Sequence, residues 1–599
     1  MLALGQYATA EALEQYLGDP GHPENLFSFR HSMELDERDE YPEAIYALLN
    51  DWKVYEYYIP QDLGGKLKSW EEMLAIARVI ARRDLTVAIA HGCTYLGASP
   101  VWLSGSTTQK HRVAELIKNQ QQISFGLTEK NHGSDILASE TRVEKTDTGY
   151  LLAGEKWLIG NASRSKALAV FARTQAKGGP RGFSLFLVEK DHLDPTSYGH
   201  LPKIKTHGLR GANICGITFH DSHLSSDTLI EPMGAGLEII LKAFQITRTL
   251  HAGAAPSLGQ ADTALRVTLS FTLSRELYGG TVWDIDHVRQ SLIDVFADIL
   301  ICDCMSIAAV RALHAATEQM SLISAIIKYF VPTTTEDLIH RLSAILGARF
   351  YLREEHCWGI FQKIVRDHGI ISVFDGSTAV NLHGIALQLP TLAAYRSQTD
   401  IKSSEGIKER VATIFDLQQP LPDFDPQKLE IYNRGRDDIL QSIELAIAEL
   451  YNIKSNPGDL PSDVVQQILT LTCEIQTVIE AQEAHLAKMG SNAAKSSKSR
   501  EMFTMSKQYC ALHAAVACVQ MWLHNRQTLG AFFQQGEWLV VCLHRLMESF
   551  YRPLDTIPPS YLENMGQEML RLYAEDKLFS IVPLQLATKD TLGQNYQEG

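Results

Sequence analysis

The spacing of apolar residues changes twice along the chain, and each change predicts a change of structural class. Up to about residue 120 the apolar positions recur at helical spacing, and the segment 70–82 places them on one stripe. From about 120 to 230 the apolar runs become short and alternating, which is typical of strands. From Gly236 onward the helical spacing returns. The pattern therefore predicts a mainly α protein with a central β domain.

The central region contains the sharpest local prediction, a β-hairpin. Residues 141–146 alternate, Asp147-Thr-Gly149 is a turn sequence, and an apolar run resumes at 150–153. Further strands are predicted at 167–172, 183–188 and 215–219. Strand and helix do not alternate along the chain, and no GxGxxG follows a strand, so the pattern disfavours a Rossmann domain.

The second half of the chain predicts two helical bundles joined by a linker. The linker is residues 418–426, which contain three prolines in nine residues, and 490–499 is predicted to be a mobile loop. Helical segments are predicted at 236–275, 287–318, 336–347, 437–453, 462–487, 500–526 and 538–550. We expect four domains: an N-terminal helical domain (1–122), a β domain (123–235), a C-terminal helical domain (236–400) and an additional helical bundle (401–599).

Composition narrows the class of protein. The 599 residues contain 55 Lys+Arg and 70 Asp+Glu, a net charge of −15, which argues against a nucleic-acid or anionic-membrane partner. Nine cysteines without a CxxC pair predict reduced thiols, with neither a disulfide scaffold nor a metal site. The sequence has neither a signal peptide pattern nor about 18 uninterrupted apolar residues. We expect a cytoplasmic protein without a membrane span.

Four stretches carry candidate chemistry: residues 126–135, 154–161, 247–248 with 274–280, and 366–367 with 374–378. Thr128, Gly133 and Ser134 either line an anion or a planar ring edge, or form a plain capped turn. Arg248 is either a phosphate or carboxylate clamp or a solvated helical residue. Asp375 lies between a phenylalanine and a glycine. It is either a partly desolvated general base or the cap of the next helix.

Taken in this order, the stretches resemble the acyl-CoA dehydrogenase family from about residue 50 to 395. The matching motifs are Ile59-Pro-Gln-Asp-Leu-Gly-Gly65, Gly105-Ser-Thr107 with Lys110, Leu127-Thr-Glu129 with Gly133-Ser-Asp135, Gly154-Glu-Lys156 with Asn161, Arg248 with Arg275, Tyr278 and Gly279, and Arg366-Asp367 with Asp375-Gly-Ser377. The resemblance implies an N-terminal helical domain, a β-barrel domain and a C-terminal helical bundle. The tail is then an extra helical bundle, as in acyl-CoA oxidases and very-long-chain dehydrogenases.

The same resemblance implies FAD as cofactor and the α,β-dehydrogenation of an acyl thioester, either an acyl-CoA or an acyl-carrier protein. Asp375 takes the position of the family's base, which removes the α-proton while the flavin N5 accepts a hydride from the β-carbon. The implied cofactor contacts are Leu127, Thr128, Gly133, Ser134, Leu158, Gly160, Arg275, Tyr278 and Ser377, and the implied substrate contacts are Ser134 and Arg248. Arg275 would reach the FAD of a neighbouring subunit, which implies a homodimer or homotetramer. The electron acceptor would be electron-transfer flavoprotein or O₂.

The sequence departs from the family pattern at several positions. Asp375 replaces a glutamate, so its carboxylate is one methylene shorter. The family's flavin-stacking tryptophan aligns with Leu158, whereas Trp157 lies one residue earlier and Gly160 replaces a threonine. Because side chains alternate along a strand, either the local register differs or the stacking partner is lost. The remaining departures are Lys130 for proline and Ala344 for glutamine.

These departures keep two other hypotheses open. One is a flavin-dependent oxidase or monooxygenase on the same fold, in which O₂ consumes the reduced flavin. The other is a helical scaffold that has lost its flavin, which Leu158, Gly160 and Ala344 motivate. An enzyme is favoured by the joint occurrence of four residues, because local features that agree with one fold are rarely independent accidents. They are Thr128, Ser134, Arg275 and Ser377.

Overall fold

The computed structural model describes residues 5–397, 405–490, 493, 495–548, 550, 556–589 and 591–593. The chain divides into two compact units. Within the described residues, a sheet unit holds 26–68 and 84–247, and a helical unit holds 5–25, 69–83 and the part from 248 onward.

Helices make up most of the described chain. They are α1 (Gly5–Leu17), α2 (Phe29–Glu37), α3 (Glu43–Asp51), α4 (Trp70–Ala81), α5 (Leu85–Ser104), α6 (Thr107–Lys118), α7 (Gly236–Thr249), α8 (Ala255–Ser274), α9 (Asp286–Ala315), α10 (Met320–Leu346), α11 (Ile360–His368), α12 (Thr378–Arg396), α13 (Glu405–Phe415), α14 (Asp438–Gln441), α15 (Ile443–Ser455), α16 (Ser462–Met489), α17 (Arg500–Asn525), α18 (Ala531–Gln535), α19 (Glu537–Glu548) and α20 (Pro559–Ala574). A π-helical turn, Leu250–Ala254, lies between α7 and α8.

The strands are β1 (Ile123–Gly126), β2 (Arg142–Thr146), β3 (Gly149–Gly160), β4 (Ala167–Arg173), β5 (Phe183–Glu189), β6 (Tyr198–Leu201), β7 (Ile214–Ser225), β8 (Leu229–Ile230), β9 (Glu276–Leu277) and β10 (Gly280–Thr281). β2 and β3 pair antiparallel, so the predicted hairpin is confirmed. The predicted strands at 167–172, 183–188 and 215–219 correspond to β4, β5 and part of β7. The mainly α fold with a central sheet is therefore confirmed.

One sheet organises the sheet unit. Its strand order is β6-β7-β3-β2-β4-β5-β8, and β1 pairs parallel with β4. Alternate residues of the long strands form its core, in which Leu152, Leu168, Phe186 and Ile217 are all fully buried. The alternation read from the sequence is therefore the packing pattern of the sheet.

Buried ion pairs join the elements of the helical unit. The Nη1 atom of Arg78 on α4 donates to the Oδ1 atom of Asp303 on α9 at 2.6 Å, and the Asp303 side chain is completely buried. The Oδ2 atom of Asp303 accepts from the Ser580 hydroxyl at 2.6 Å and from the Ile581 N–H at 2.9 Å. Glu14 on α1 accepts from Arg82 at 2.7 Å. These contacts fasten the segment after α20 to helices that are far away in sequence.

The extra helices of the tail pack in the same compact unit as α8 to α12. Arg311 on α9 donates to the carbonyls of Thr413, Ile414 and Asp416 at the end of α13. The proline-rich segment 418–426 contains a helical residue only at its end. The predicted loop 490–499 lies partly outside the described residues, and the domain boundaries at 122, 235 and 400 stay predictions.

The predictions of no membrane span and no metal site can be compared with the structure only over the described residues. Among the helices described above, none is both long enough and apolar enough to cross a membrane. In the described chain, no three His, Cys, Asp or Glu side chains are grouped so as to hold a metal ion.

Candidate functional site

In the sheet unit, the loop after β1 is anchored to β3. The Trp157 N–H donates to the Thr128 carbonyl at 2.8 Å. The Lys156 Nζ atom donates to the Leu127 carbonyl at 3.0 Å and to the Glu129 Oε1 atom at 2.8 Å. Residues 127–129 are therefore held along β3 by backbone and side-chain contacts together.

The charges of this anchor are balanced locally. Burial lowers the pKa of Lys156 to about 8, and the neighbouring Glu129 carboxylate opposes that effect. Burial also acts to raise the pKa of Glu129, but Lys156 and the backbone N–H of Glu140 reverse this, so that its pKa is lowered overall. Both partners are held in their charged forms near neutral pH by each other.

β3 contains a β-bulge at the position that aligns with the family's flavin-stacking tryptophan. Trp157 pairs with Gly216 and Ile159 with Cys215, so Leu158 is an extra residue between the two pairs. Leu158 has a φ of 57° and is 41% exposed. Because a bulge lets two successive side chains lie on one face, Trp157 and Leu158 both face away from the buried side of β3. β3 therefore carries an extra residue at this point, and neither Trp157 nor Leu158 is buried.

Gly160 and the turn at Gly133 show how the rest of this stretch is built. A Cβ atom at Gly160 would lie 2.5 Å from the Cys93 Sγ atom, so there is no room here for the family's threonine without a shift. Gly133 and Ser134 lie on an exposed turn after the anchored loop. Their roles toward a cofactor or substrate stay predictions.

In the helical unit, Arg248 and the turn at Asp375 are in direct contact. The Arg248 Nε atom donates to the Asp375 carbonyl oxygen at 2.5 Å. Asp375 has a φ of 53° and Gly376 a φ of 103°. A Cβ atom at Gly376 would lie 2.5 Å from the Arg248 Nη2 atom, so only glycine fits there. Arg248 is half-buried and makes this contact, so it is not a fully solvated helical residue, the second of the two alternatives read from the sequence. Burial lowers its pKa to about 10, an effect that Asp375 opposes.

The same turn starts α12, and the N-cap of that helix bears on one of the two alternatives for Asp375, the helix cap. The Ser377 Oγ atom accepts from the Val380 N–H at 3.4 Å, so Ser377 is the N-cap. The Asn381 Nδ2 atom donates to the carbonyls of Gly376 at 2.8 Å and Ser377 at 3.0 Å. Asp375 is therefore not the helix cap, and its carboxylate is not engaged in capping.

Arg275 and Tyr278 lie on a small hairpin rather than in this turn. Arg275 ends α8, and β9 pairs antiparallel with β10 immediately after it. Tyr278 is 93% exposed. The helical unit therefore brings Arg248 together with residues 375–377 and leaves Arg275 and Tyr278 on the exposed hairpin.

The sequence reasoning missed two residues that support the turn at Asp375, Asn381 and Lys328, and it named Lys156 only as part of a motif, without its anchoring role. Lys328 is a buried lysine of α10, and its contacts are described below. The only sequence signal for it is a lone charge in an apolar helical segment. For Asn381 there is no comparable signal, because an amide near a helix start is common.

The anchored loop and bulge fit a planar aromatic cofactor. Trp157 and Leu158 form an apolar surface on the outer face of β3, and Leu158 is well exposed for an apolar side chain. Thr128 beside them adds a half-buried hydroxyl group. A flat ring that has polar edges matches both features.

Solved structures with the same fold give the class of protein. Butyryl-CoA dehydrogenase from Megasphaera elsdenii matches with a TM-score of 0.55 and 21% identity, covering 64% of this chain and 97% of that chain. The prolyl acyl carrier protein oxidase AnaB matches with a TM-score of 0.55 and 17% identity, again covering 64% and 97%. The fold is that of the acyl-CoA dehydrogenases.

The sequence comparisons give the family. The acyl-CoA dehydrogenase N-terminal, middle and C-terminal domain models match residues 29–118, 124–222 and 234–389, together more than half of the chain. Mitochondrial isovaleryl-CoA dehydrogenase of Arabidopsis thaliana is 23% identical over 270 residues, which are 44% of this chain and 65% of that protein. The chain belongs to the acyl-CoA dehydrogenase family, whose members are flavin oxidoreductases with FAD as cofactor.

The Lys156 anchor supports a stability prediction. Lys156→Met removes two hydrogen bonds and leaves the Glu129 carboxylate without its cation. We expect local opening of residues 127–129 to become easier by about 2 kcal/mol, the cost of an unsatisfied buried group. Hydrogen exchange at the Trp157 amide, which donates to the Thr128 carbonyl, should then be about 30-fold faster. Lys145→Met, on the exposed face of β2, is the control, and equal exchange in both variants would contradict the anchor.

Proposed function

We propose that the protein dehydrogenates an acyl thioester between its α and β carbons and that Asp375 is the base. The family supports flavin-dependent acyl thioester dehydrogenation in general. The observation that supports Asp375 is the turn itself. Arg248 and Asn381 hold the backbone of residues 375–377, and Ser377 takes over the capping of α12. Asp375 therefore stands on a fixed backbone beside Arg248, at the position where the family resemblance puts the base.

Asp375, FAD and Arg248 have different roles in the proposed reaction. The Asp375 carboxylate accepts the α-proton, so the electron pair of that C–H bond forms the new double bond. Bound FAD supplies the acceptor for the hydride that leaves the β-carbon. Arg248 orients Asp375 through its carbonyl oxygen, and its half-buried guanidinium would add positive charge near a thioester bound beside Asp375.

The cofactor contacts belong to the same proposal. Thr128 and Leu127 lie beside the apolar surface of Trp157 and Leu158 and would contact the ring of FAD. Gly133, Ser134, Gly160 and Ser377 would contact the cofactor, with Ser134 also near the thioester. Arg275 and Tyr278, on an exposed hairpin, are suited to reach a neighbouring subunit of a homodimer or homotetramer.

The carrier and the acceptor are finer proposals. The substrate is an acyl-CoA or an acyl-carrier protein; the first is suggested by the family and the second by the name of one solved neighbour, a prolyl acyl carrier protein oxidase. The acceptor is electron-transfer flavoprotein or O₂. We place the reaction in the cytoplasm.

A panel of thioesters tests this proposal. The FAD-containing protein is mixed without oxygen with acyl-CoAs and with acyl-carrier proteins that bear the same acyl groups. We expect at least one thioester to bleach the flavin absorbance and to yield the α,β-unsaturated product. Free acids of the same chain length are the control, since they lack the acidifying thioester. A protein that no thioester bleaches would contradict the proposal, and peroxide formation in air without an electron-transfer partner would identify an oxidase.

A further inference from the structure

Lys328 contacts the two chain segments that lead to the turn of residues 375–377. It lies on α10 and is 1% exposed. Its Nζ atom donates to the Ala252 carbonyl at 2.7 Å and to the Ile371 carbonyl at 2.5 Å. The same atom lies 4.4 Å from the centre of the Phe374 ring. One ammonium group therefore contacts both the π-helical turn that follows Arg248 and the segment that ends at Asp375.

Both ends of this connection meet at Asp375. The π-helical turn starts two residues after Arg248, whose Nε atom donates to the Asp375 carbonyl oxygen. The segment 371–374 enters Asp375 directly. Because π-helical turns interrupt the regular α-helical hydrogen bonds, the Ala252 carbonyl is open to a side-chain donor. The Lys328 ammonium group is that donor, and it links the π-helical turn to the segment that leads to Asp375.

Burying the Lys328 ammonium group destabilises the fold unless local contacts offset the free energy of removing it from water. Burial lowers the pKa of Lys328 to about 7, an effect that Asp375 opposes and Arg248 reinforces. An apolar residue of similar length would fill the same space without that cost. The charged groups that bear on the ammonium are Asp375 and Arg248. The nearby His368 imidazole is neutral, because burial lowers its pKa to about 3.

We propose that Lys328 is a positioning residue that fixes the backbone of residues 371–375 and so sets the place of the Asp375 carboxylate. The proposal rests on Asp375 being the base of the proposed reaction. In this role Lys328 acts on the protein itself, since the contacts of its ammonium group within the described residues are with two carbonyls and the Phe374 ring. Its effect reaches the reaction through Asp375.

The test compares Lys328→Met with a matched control in the FAD-containing full chain. The control is Ser324→Ala, one turn earlier on α10, where the Oγ atom is buried and makes no hydrogen bond within the described residues. Both substitutions alter a buried polar group of the same helix. Only the first removes the link between Ala252 and Ile371. Three quantities are measured: amide hydrogen exchange, the rate of flavin reduction by a thioester, and the pH profile of that rate.

We expect Lys328→Met to speed exchange at amides 371–376 at least about tenfold, while the other helices keep their rates. Flavin reduction should fall about 100-fold, because a shift of about 1 Å in a catalytic group costs this much. The midpoint of the pH profile should move up by about one unit, since the Asp375 carboxylate loses a nearby cation, while Arg248 remains and His368 stays neutral. Ser324→Ala should change none of the three quantities.

Unchanged exchange at amides 371–376, or exchange that rises equally over the whole chain, would overturn the proposal. An unshifted pH profile would do the same. If Lys328→Met does not fold, Lys328→Gln keeps a donor without the charge, and it should show the upward pH shift with a smaller loss of rate. The exchange result stands apart from the proposed function, which fails instead if Asp375→Asn still reduces its flavin.

Discussion

Asp375→Asn is expected to keep its FAD and to lose flavin reduction by acyl thioesters by a factor of about 10³, within the range that a general base contributes. Asparagine has the same shape as aspartate but cannot accept the α-proton. The Arg248 contact is made to the Asp375 carbonyl oxygen and survives the change. Anaerobic stopped-flow measurement of flavin absorbance gives the rate, and the bound flavin is quantified in the same sample.

A second aspartate controls for the loss of one negative charge. Asp337 is an exposed residue of α10 that pairs with Arg341 at 3.0 Å, and Asp337→Asn should reduce its flavin at the original rate. Bleaching of Asp375→Asn at the original rate would remove Asp375 as the base. Asp375→Glu then tests whether the site has room for a carboxylic acid that is one methylene longer. Improved activity on simple acyl-CoAs would mean that the family's longer acid fits, whereas a loss would mean that the site is built for the shorter one.

Asp303→Asn is expected to lower the free energy of unfolding by about 3–5 kcal/mol, the usual cost of removing one partner from a buried ion pair. The substitution keeps the shape of the side chain but leaves the buried Arg78 guanidinium without its carboxylate. It also weakens the contacts with Ser580 and Ile581, which fasten the segment after α20. Urea unfolding followed by tryptophan fluorescence gives the free energy.

Two comparisons make this measurement specific. Glu34→Gln removes a carboxylate from an exposed pair with Arg30 on α2, and it should change the free energy of unfolding by less than about 0.5 kcal/mol. The double variant Arg78→Met with Asp303→Leu removes both buried charges, so it should be more stable than Asp303→Asn alone. A double variant that is as unstable as the single one would mean that packing, and not the uncompensated charge, is responsible.

Some features of the fold could be predicted from the sequence, and others could not. The β2–β3 hairpin was predictable because alternation and a turn sequence are local signals within about a dozen residues. The bulge at Leu158 was not, because periodicity assumes an uninterrupted ladder and one extra residue breaks it. The sequence could only state that the register differs or that the stacking partner is lost.

The candidate site shows the same limit. Arg248 and Asp375 were both predicted as functional residues, but the contact between them joins positions 127 residues apart. The sequence could not exclude Asp375 as a helix cap, because this depends on which side chain reaches the Val380 N–H, and only the structure shows that Ser377 does. Lys328 had no motif, because two of its partners are backbone carbonyls, which any residue could supply.

The sequence by itself determined the order of helical and strand regions, the family and the residue types at the turn of residues 375–377, because these follow from local periodicity and from motifs in a given order. Only the tertiary structure decided that the tail packs with α8 to α12, that Asp303 and Arg78 join the segment after α20 to α4, and that Lys328 ties the π-helical turn to residues 371–374. The physical reason is the same in each case. Burial makes a charged or polar group depend on a partner, and that partner is chosen by the packing of elements distant in sequence.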